Sequence, residues 1–249
     1  MLKEFFMEHP NAAIAFSGGA DSAYLLYEAK LYAERFVAYY VKTAFQPDFE
    51  LEDALRLARE LDTPVRVLCS TVMQCEEIVS NPPDRCYHCK KRIFGAIAEC
   101  AHREGFDVLL DGTNASDDAG DRPGMRALEE LEVLSPLREA GLTKARIREL
   151  SREAGLFTWD KPAYACLATR IPAGRRIERR LLERTEKAEE FLSSLGFTDF
   201  RIRTLGETAL IQVTEGQMEK ALESIGSIEE RLCPAYEAVL LDPEARHGQ

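Results

Sequence analysis

Along the first 160 residues, short continuous apolar runs alternate with longer stretches of helical spacing. The runs at 12–16, 35–41, 64–69 and 107–111 have the length of buried strands, and helical periodicity covers 22–33, 48–62, 73–79, 90–104 and 143–154. Such alternation predicts an α/β domain whose parallel sheet is covered on both faces. Ligands of these sheets sit at the carboxyl ends of the strands, near the point where strand order reverses. The polar stretch 113–124 follows the fourth strand and reads either as a lid over a ligand or as a solvated connector. The pattern breaks at 158–176, where Trp159-Asp160-Lys161-Pro162 and Ile171-Pro172-Ala173-Gly174 punctuate an irregular segment. Beyond it the order is helix 177–195, strand 199–204, strand 208–213, helix 215–231 and strand 236–241. That is a small α+β unit with little core of its own, expected to dock on the first domain or on another subunit. The expected division is 1–160, a connecting segment 161–176 and 177–249.

Composition narrows the function classes. The chain has 249 residues, 45% hydrophobic and 30% charged, which suits a soluble globular protein. A formal charge of −11 gives no electrostatic basis for wrapping nucleic acid. No apolar run reaches the length of a membrane span, and the acidic opening from Met1 to Pro10 does not resemble a secretory signal, so a cytoplasmic location is expected. The seven cysteines then read as thiols, not as a disulfide framework. Cys69, Cys75, Cys100 and Cys233 have apolar or helical neighbours and read as packing residues. The four histidines, His9, His88, His102 and His247, form no metal-ligand spacing.

The first strand runs into Phe16-Ser17-Gly18-Gly19-Ala20-Asp21-Ser22 and a helix follows at once. Glycines let backbone N–H groups approach a ligand, and a helix N-terminus adds partial positive charge. Ser17 and Ser22 add hydroxyl donors, so the turn suits phosphate or pyrophosphate. The plain alternative is a tight β-to-α turn capped by Asp21 or Ser22. No lysine follows the glycines, so the run does not match the Gly-x-x-x-x-Gly-Lys-Ser/Thr phosphate loop. It resembles the PP-loop of the N-type ATP pyrophosphatases, which cleave ATP to AMP and pyrophosphate to activate a substrate as its adenylate. Asp111-Gly112-Thr113-Asn114 ends the fourth strand and should reach the same crevice. Val41-Lys42-Thr43 ends the second and is placed to contact an adenosine.

Cys86-Tyr87-His88-Cys89, between Arg85 and Lys90-Lys91, precedes a predicted helix. Basic neighbours and a helix start favour thiolate. Three readings fit the pair: half a zinc site, a redox couple, or two ligands of an iron–sulfur cluster. No second Cys-x-x-Cys exists to complete a zinc site. His88 either contacts such a cluster or faces solvent. Cys166 lies in the irregular segment, near Arg170, Arg175 and Arg176.

Taken together, these stretches resemble the ATP-dependent sacrificial sulfur transferase (LarE) family. The resemblance is carried by Ala15 to Ser22, Asn81-Pro82-Pro83-Asp84-Arg85-Cys86-Tyr87-His88-Cys89-Lys90-Lys91, Asp111 to Asn114, Ser135-Pro136-Leu137 and Trp159-Asp160-Lys161-Pro162. Ala165-Cys166-Leu167-Ala168-Thr169-Arg170-Ile171-Pro172 is the most discriminating element. It covers most of residues 10–175 and, more weakly, the rest. It implies an adenine nucleotide α-hydrolase-like, Rossmann-like PP-loop domain followed by the small α+β domain. It implies ATP and Mg²⁺ as cofactors and a small-molecule nucleotide as substrate; the little core of the second unit adds the expectation of a homo-oligomer. The implied reaction adenylates a carboxylate of pyridinium-3,5-biscarboxylic acid mononucleotide and converts it to a thiocarboxylate, in nickel-pincer nucleotide biosynthesis. Members with one cysteine at the position of Cys166 are thought to surrender its sulfur. Those with three are thought to bind a [4Fe–4S] cluster, and this chain has all three. By the resemblance, Phe16, Ser17, Gly18, Gly19, Asp21, Ser22, Val41, Gly112 and Asn114 bind the nucleotide, and Asp21 positions Mg²⁺. Cys86, Cys89 and Cys166 hold the cluster, and Arg170, Arg201 and Arg203 anchor the acceptor's phosphate. The C-terminal unit departs from the family pattern. Thr204-Leu205 stand where a histidine is usual, Gln212 where an acid is usual, and Leu241-Asp242-Pro243-Glu244-Ala245-Arg246 replaces the usual ending. Three other readings stay open: tRNA thiolation, nucleotide amidation, and a non-catalytic nucleotide-binding sulfur carrier.

Overall fold

The computed structural model describes residues 2–117 and 123–246. In chain order its elements are α1 (Leu2–Glu8), β1 (Asn11–Ala15), α2 (Ala20–Tyr32), β2 (Arg35–Lys42), α3 (Asp48–Glu60), β3 (Val65–Cys69), α4 (Glu76–Val79), α5 (Arg85–Arg103), β4 (Leu109–Leu110), α6 (Pro123–Glu130), α7 (Pro136–Glu139) and α8 (Lys144–Glu153). Then come α9 (Arg179–Ser194), β5 (Arg201–Leu205), β6 (Thr208–Gln212), α10 (Met218–Leu232) and β7 (Ala238–Leu241). By contact the chain forms two units, one of 1–72 with 84–161 and one of 73–83 with 162–249.

The first unit holds a parallel sheet ordered β3-β2-β1-β4. Side chains alternate across each strand, and helices cover both faces, so the central strands are apolar throughout. Ala12 and Ile14 of β1, with Ala38 and Tyr40 of β2, join a core that includes Leu25 and Leu26 of α2, Leu57 of α3 and Ile147 of α8. Ala13, Val37, Tyr39 and Val41 face the other way, against Ile97 and Ala101 of α5. Strand order reverses between β1 and β4, so the loops leaving these two strands flank the crevice expected for a ligand.

In the second unit, β5 pairs antiparallel with β6, and β6 parallel with β7. Ile202, Ala209, Ile211 and Val239 pack on Ala188 and Leu192 of α9 and on Ala221 and Ile228 of α10. Residues 73–83 belong to this unit, and one residue explains much of why. Asn81 is buried with φ +57°, and its amide Nδ2 donates to the carbonyls of Pro172 (2.8 Å) and Arg175 (3.1 Å). The Gly174 N–H donates to the Asn81 carbonyl at 2.7 Å. The irregular segment is thus held by a side chain some ninety residues upstream.

The predicted strands and helices recur with shifted ends, and α1, α6 and α7 were not anticipated. Helix α5 begins at Arg85, not at residue 90, so the Cys-x-x-Cys lies within the start of the helix, not ahead of it. Cys69 and Cys233 are exposed, which corrects their reading as packing residues; Cys75 and Cys100 are half-buried.

Candidate nucleotide and sulfur site

Ser17 to Gly19 turn from β1 into α2. The Phe16 N–H donates to the Tyr39 carbonyl at 2.9 Å, continuing the ladder one residue past β1. Gly18 has φ +76°, and a Cβ there would stand 3.0 Å from Ala54 Cβ. The turn therefore needs glycine both for its conformation and for its contact with α3. Gly19 is the N-cap of α2 and offers no side-chain acceptor, so the first-turn N–H groups are left for a ligand. Ser17 Oγ and Ser22 Oγ lie 3.0 Å apart, and Ser22 Oγ donates to the Gly19 carbonyl at 3.1 Å. Both hydroxyls are thus held at the mouth of the turn.

The loop after β4 closes on the same place. A Cβ on Gly112 would lie 2.9 Å from Ser22 N and 3.0 Å from Ser22 Cα, so only glycine lets this backbone pass the start of α2. The buried Asp111 fixes the loop by accepting from Thr113 N (3.2 Å), Thr113 Oγ1 (2.5 Å) and Ser135 Oγ (2.6 Å). Asn114 N donates to Asp117 Oδ2 at 3.0 Å, and Asn114 Oδ1 accepts from Ser116 N at 2.8 Å. Residues 118–122 of the predicted lid lie outside the described residues, as does His247.

Asp21 faces this loop from the first turn of α2. Burial, then the charge of Asp117, pushes its carboxyl above the usual range; Lys144, Asn114 and Arg148 pull the other way. Its Oδ1 is buried without a hydrogen-bond partner. A buried, unsatisfied carboxylate oxygen is costly unless a cation or donor completes it, so the donor set suits a hard divalent ion such as Mg²⁺. Val41, next to last in β2, faces the α5 side. Beyond it Thr43 N (3.1 Å) and Thr43 Oγ1 (2.6 Å) donate to Gln46 Oε1, which orders the turn into α3.

The thiols occupy both units. Cys86 (exposed) and Cys89 (half-buried) are one turn apart on α5, and Arg85 Nη2 lies 3.6 Å from Cys86 Sγ. His88 Nε2 is 3.4 Å from Asp84 Oδ2, and its ring meets Tyr87 edge-on. Half-buried Cys166 caps a 3₁₀ turn, Leu167–Arg170, in the second unit. Among the described residues no group of three or more His, Cys, Asp or Glu side chains is gathered to hold a metal ion. Taken by donor chemistry alone, three thiolates suit a four-iron cluster with one iron left open.

The arginines divide by environment. Arg170 is 1% exposed and forks onto Glu189, with Nε–Oε1 at 2.7 Å and Nη2–Oε2 at 3.2 Å, while its Nη1 donates to Ala165 O and Thr169 Oγ1. Glu189 also accepts from Tyr164 OH and Ile202 N. This occupied guanidinium is a buried strut tying the 3₁₀ turn to α9 and β5, which corrects its expected role as a phosphate anchor. Arg201 and Arg203 alternate with buried Ile202 and Thr204, so both lie on the face of β5 away from the core. Arg201 has no hydrogen-bond or ion-pair partner among the described residues. Burial, and the charges of Arg246, Arg170 and Arg203, lower its pKa from the ordinary arginine value. Arg203 Nε donates to Gln212 Oε1 (2.9 Å), and Gln212 Nε2 to Asp242 Oδ2 (2.7 Å). A neutral amide thus stands between Arg203 and the Asp242 carboxylate.

No family model matches the chain. A pyridinium-3,5-bisthiocarboxylic acid mononucleotide synthase of Lactiplantibacillus plantarum is 31% identical over 207 residues, covering 82% of this chain and 75% of the relative. Uncharacterized proteins of Synechocystis and Methanocaldococcus jannaschii are 33% and 31% identical, over 90% and 86% of this chain. A tRNA-specific 2-thiouridylase of Pseudothermotoga lettingae is 26% identical over 82% of it. No helix among the described residues is long and apolar enough to cross a membrane. With the parallel sheet, the glycine turn at its switch point and this identity over most of both chains, the protein belongs to the LarE family of PP-loop enzymes that transfer sulfur.

Proposed function

We propose that this enzyme uses ATP to adenylate a carboxylate of pyridinium-3,5-biscarboxylic acid mononucleotide and replaces the AMP with sulfur, giving a thiocarboxylate for nickel-pincer nucleotide biosynthesis. The observation that carries the reading is the turn Ser17–Ser22, backed by Gly112, where a Cβ would collide with the start of α2, with the unsatisfied Asp21 oxygen beside it. In this reading the α2 N–H groups and the two serine hydroxyls hold the phosphates, and Asp21 is the residue that would hold Mg²⁺. Phe16, Val41 and Asn114 border the nucleoside. A carboxylate oxygen of the acceptor forms a bond to the α-phosphorus as the bond to pyrophosphate breaks. Sulfide then bonds to the acyl carbon and AMP leaves with the electron pair of the broken C–O bond. Arg201 and Arg203 hold the acceptor's phosphate by charge-assisted hydrogen bonds.

Cys86, Cys89 and Cys166 are the residues that would hold a [4Fe–4S] cluster, whose open iron supplies bound sulfide. A chain with these three thiols need not consume itself at Cys166. The test is release of AMP and pyrophosphate by purified protein with ATP and Mg²⁺, with and without the acceptor. Acceptor-dependent release supports the proposal; its absence, or release that depends on tRNA or ammonia, rejects it.

A further inference from the structure

On the outer face of the second unit's sheet, one neutral side chain stands among charged ones. Antiparallel pairing sets Gln212 of β6 opposite Arg201 of β5, and Leu210 opposite Arg203. The Gln212 amide nevertheless reaches diagonally to Arg203, whose Nε donates to Gln212 Oε1 at 2.9 Å. The other end of the amide turns to the residue that follows β7, where Nε2 donates to Asp242 Oδ2 at 2.7 Å. Asp242 is itself fixed. Its N–H donates to the Ile211 carbonyl at 2.8 Å, and its Oδ1 accepts from Glu244 N at 3.1 Å.

An amide satisfies both neighbours where an acid or a base would not. A guanidinium only donates and an ionised carboxylate only accepts, so the group between them must accept on one side and donate on the other. Glutamate would set a second carboxylate against Asp242, and lysine a second cation against Arg203. The bond from Nε leaves the two terminal nitrogens of Arg203 without a hydrogen bond among the described residues. Those are the nitrogens that fork onto a phosphate. The bond also brings no charge into contact with Arg203. Elsewhere in this unit Arg246 is paired with Asp199, and Arg170 with Glu189. Of these four arginines, Arg201 and Arg203, about 7 Å apart along one strand, have no ion-pair partner among the described residues.

From this geometry we infer that Gln212 is a positioning residue for the acceptor's phosphate. It aligns Arg203 through Nε, keeps the Asp242 carboxylate one amide away, and so lets Arg203 act beside Arg201 with its charge and its fork intact. The inference rests on the assignment of these two arginines to the acceptor's phosphate. The acceptor's nucleoside lacks that phosphate, so mononucleotide and nucleoside separate this role from general support of the fold.

The experiment is calorimetric titration of the full chain, a Gln212→Glu, Asp242→Asn double variant and Gln212→Met with the acceptor mononucleotide and with its nucleoside. The double variant exchanges acid and amide. Net charge and the bond between the two side chains are kept, while a carboxylate comes to lie against Arg203. It should bind the mononucleotide about tenfold or more weakly than the parent does. Q212M keeps a long side chain but loses the acceptor for Nε, and should bind it about threefold to tenfold more weakly. Nucleoside affinity should stay within about twofold of the parent's in both. Mononucleotide affinity equal to the parent's, or equal weakening of mononucleotide and nucleoside, overturns the inference. If the double variant does not fold, Q212M decides by the same comparison. A parent that binds the mononucleotide no more tightly than the nucleoside would instead reject the phosphate role of Arg201 and Arg203, and the inference with it.

Discussion

Replacing Gly112 by alanine places one methyl group where the structure has no room. The new Cβ would lie 2.9 Å from Ser22 N, 3.0 Å from Ser22 Cα and 3.3 Å from the Asp21 carbonyl carbon. All three are backbone atoms of the first turn of α2, so no side chain can swing aside. Either the loop after β4 retreats or the start of α2 moves, and in both cases the phosphate cradle opens. Overpacking of this kind costs about 1–3 kcal/mol. In a chain of this size that lowers Tm by roughly 2–12 °C. Gly95, inside α5, and Gly226, inside α10, are the controls, because a Cβ at either meets nothing within 4 Å. G95A and G226A should each raise stability, by about 0.4–1 kcal/mol. The assay is thermal unfolding of all three variants, with and without Mg·ATP, followed by titration with AMP. G112A should melt lower and bind AMP more weakly; the controls should melt higher and bind it normally. A G112A protein that melts and binds AMP like the parent would refute the claim that this close approach builds the site.

Other substitutions test other parts of the account. Asp21 has a folded-state pKa above its unfolded value, so between those values the folded chain binds more protons, and stability falls as pH rises through that window. D21N should therefore raise the apo-protein's Tm at neutral pH, flatten its pH dependence across that window and abolish Mg²⁺-dependent stabilisation by ATP, all read from melts over a pH series. Glu189→Ala strands the Arg170 guanidinium, 1% exposed, and should cost about 3–5 kcal/mol in chemical denaturation; replacing both partners with apolar residues should cost less. Arg201→Ala should weaken binding of the phosphate-bearing acceptor by about tenfold or more in titration while leaving AMP affinity unchanged. Iron and acid-labile sulfide should be present after anaerobic reconstitution and should be lost when Cys86, Cys89 or Cys166 is replaced by alanine; absence of iron in the parent would remove the cluster from the account.

The first unit was legible because its signals are local. Three consecutive residues of β1, Ala12 to Ile14, are buried between two helical layers and give a continuous apolar run, and the glycine turn follows closely. The helices that escaped notice are short: α1 buries only Leu2 and Phe6, and α7 has four residues. Neither length carries a reliable 3.6-residue period. What the chain could not reveal by local pattern was contact across long separations. Asn81 holds residues 172–175, Glu189 occupies Arg170, and Lys144 approaches Asp21 from more than one hundred residues away. Arg170 shows the cost of reading motifs alone. An arginine beside a catalytic-looking cysteine suggests an anion site, yet a carboxylate nineteen residues on already fills its fork. Cys69 and Cys233 were misjudged for a related reason, since an apolar neighbourhood in sequence says little about which face a side chain takes at a strand or helix end.

The most direct test of the central claim is mass spectrometry of the acceptor after incubation with the anaerobically reconstituted protein, ATP, Mg²⁺ and a sulfide source, with AMP counted in the same sample. The account predicts oxygen-to-sulfur exchange at a carboxylate, with one AMP for each sulfur transferred and the protein's own mass unchanged over repeated turnovers. An acceptor that keeps both carboxylates intact, whatever AMP is formed, would contradict it.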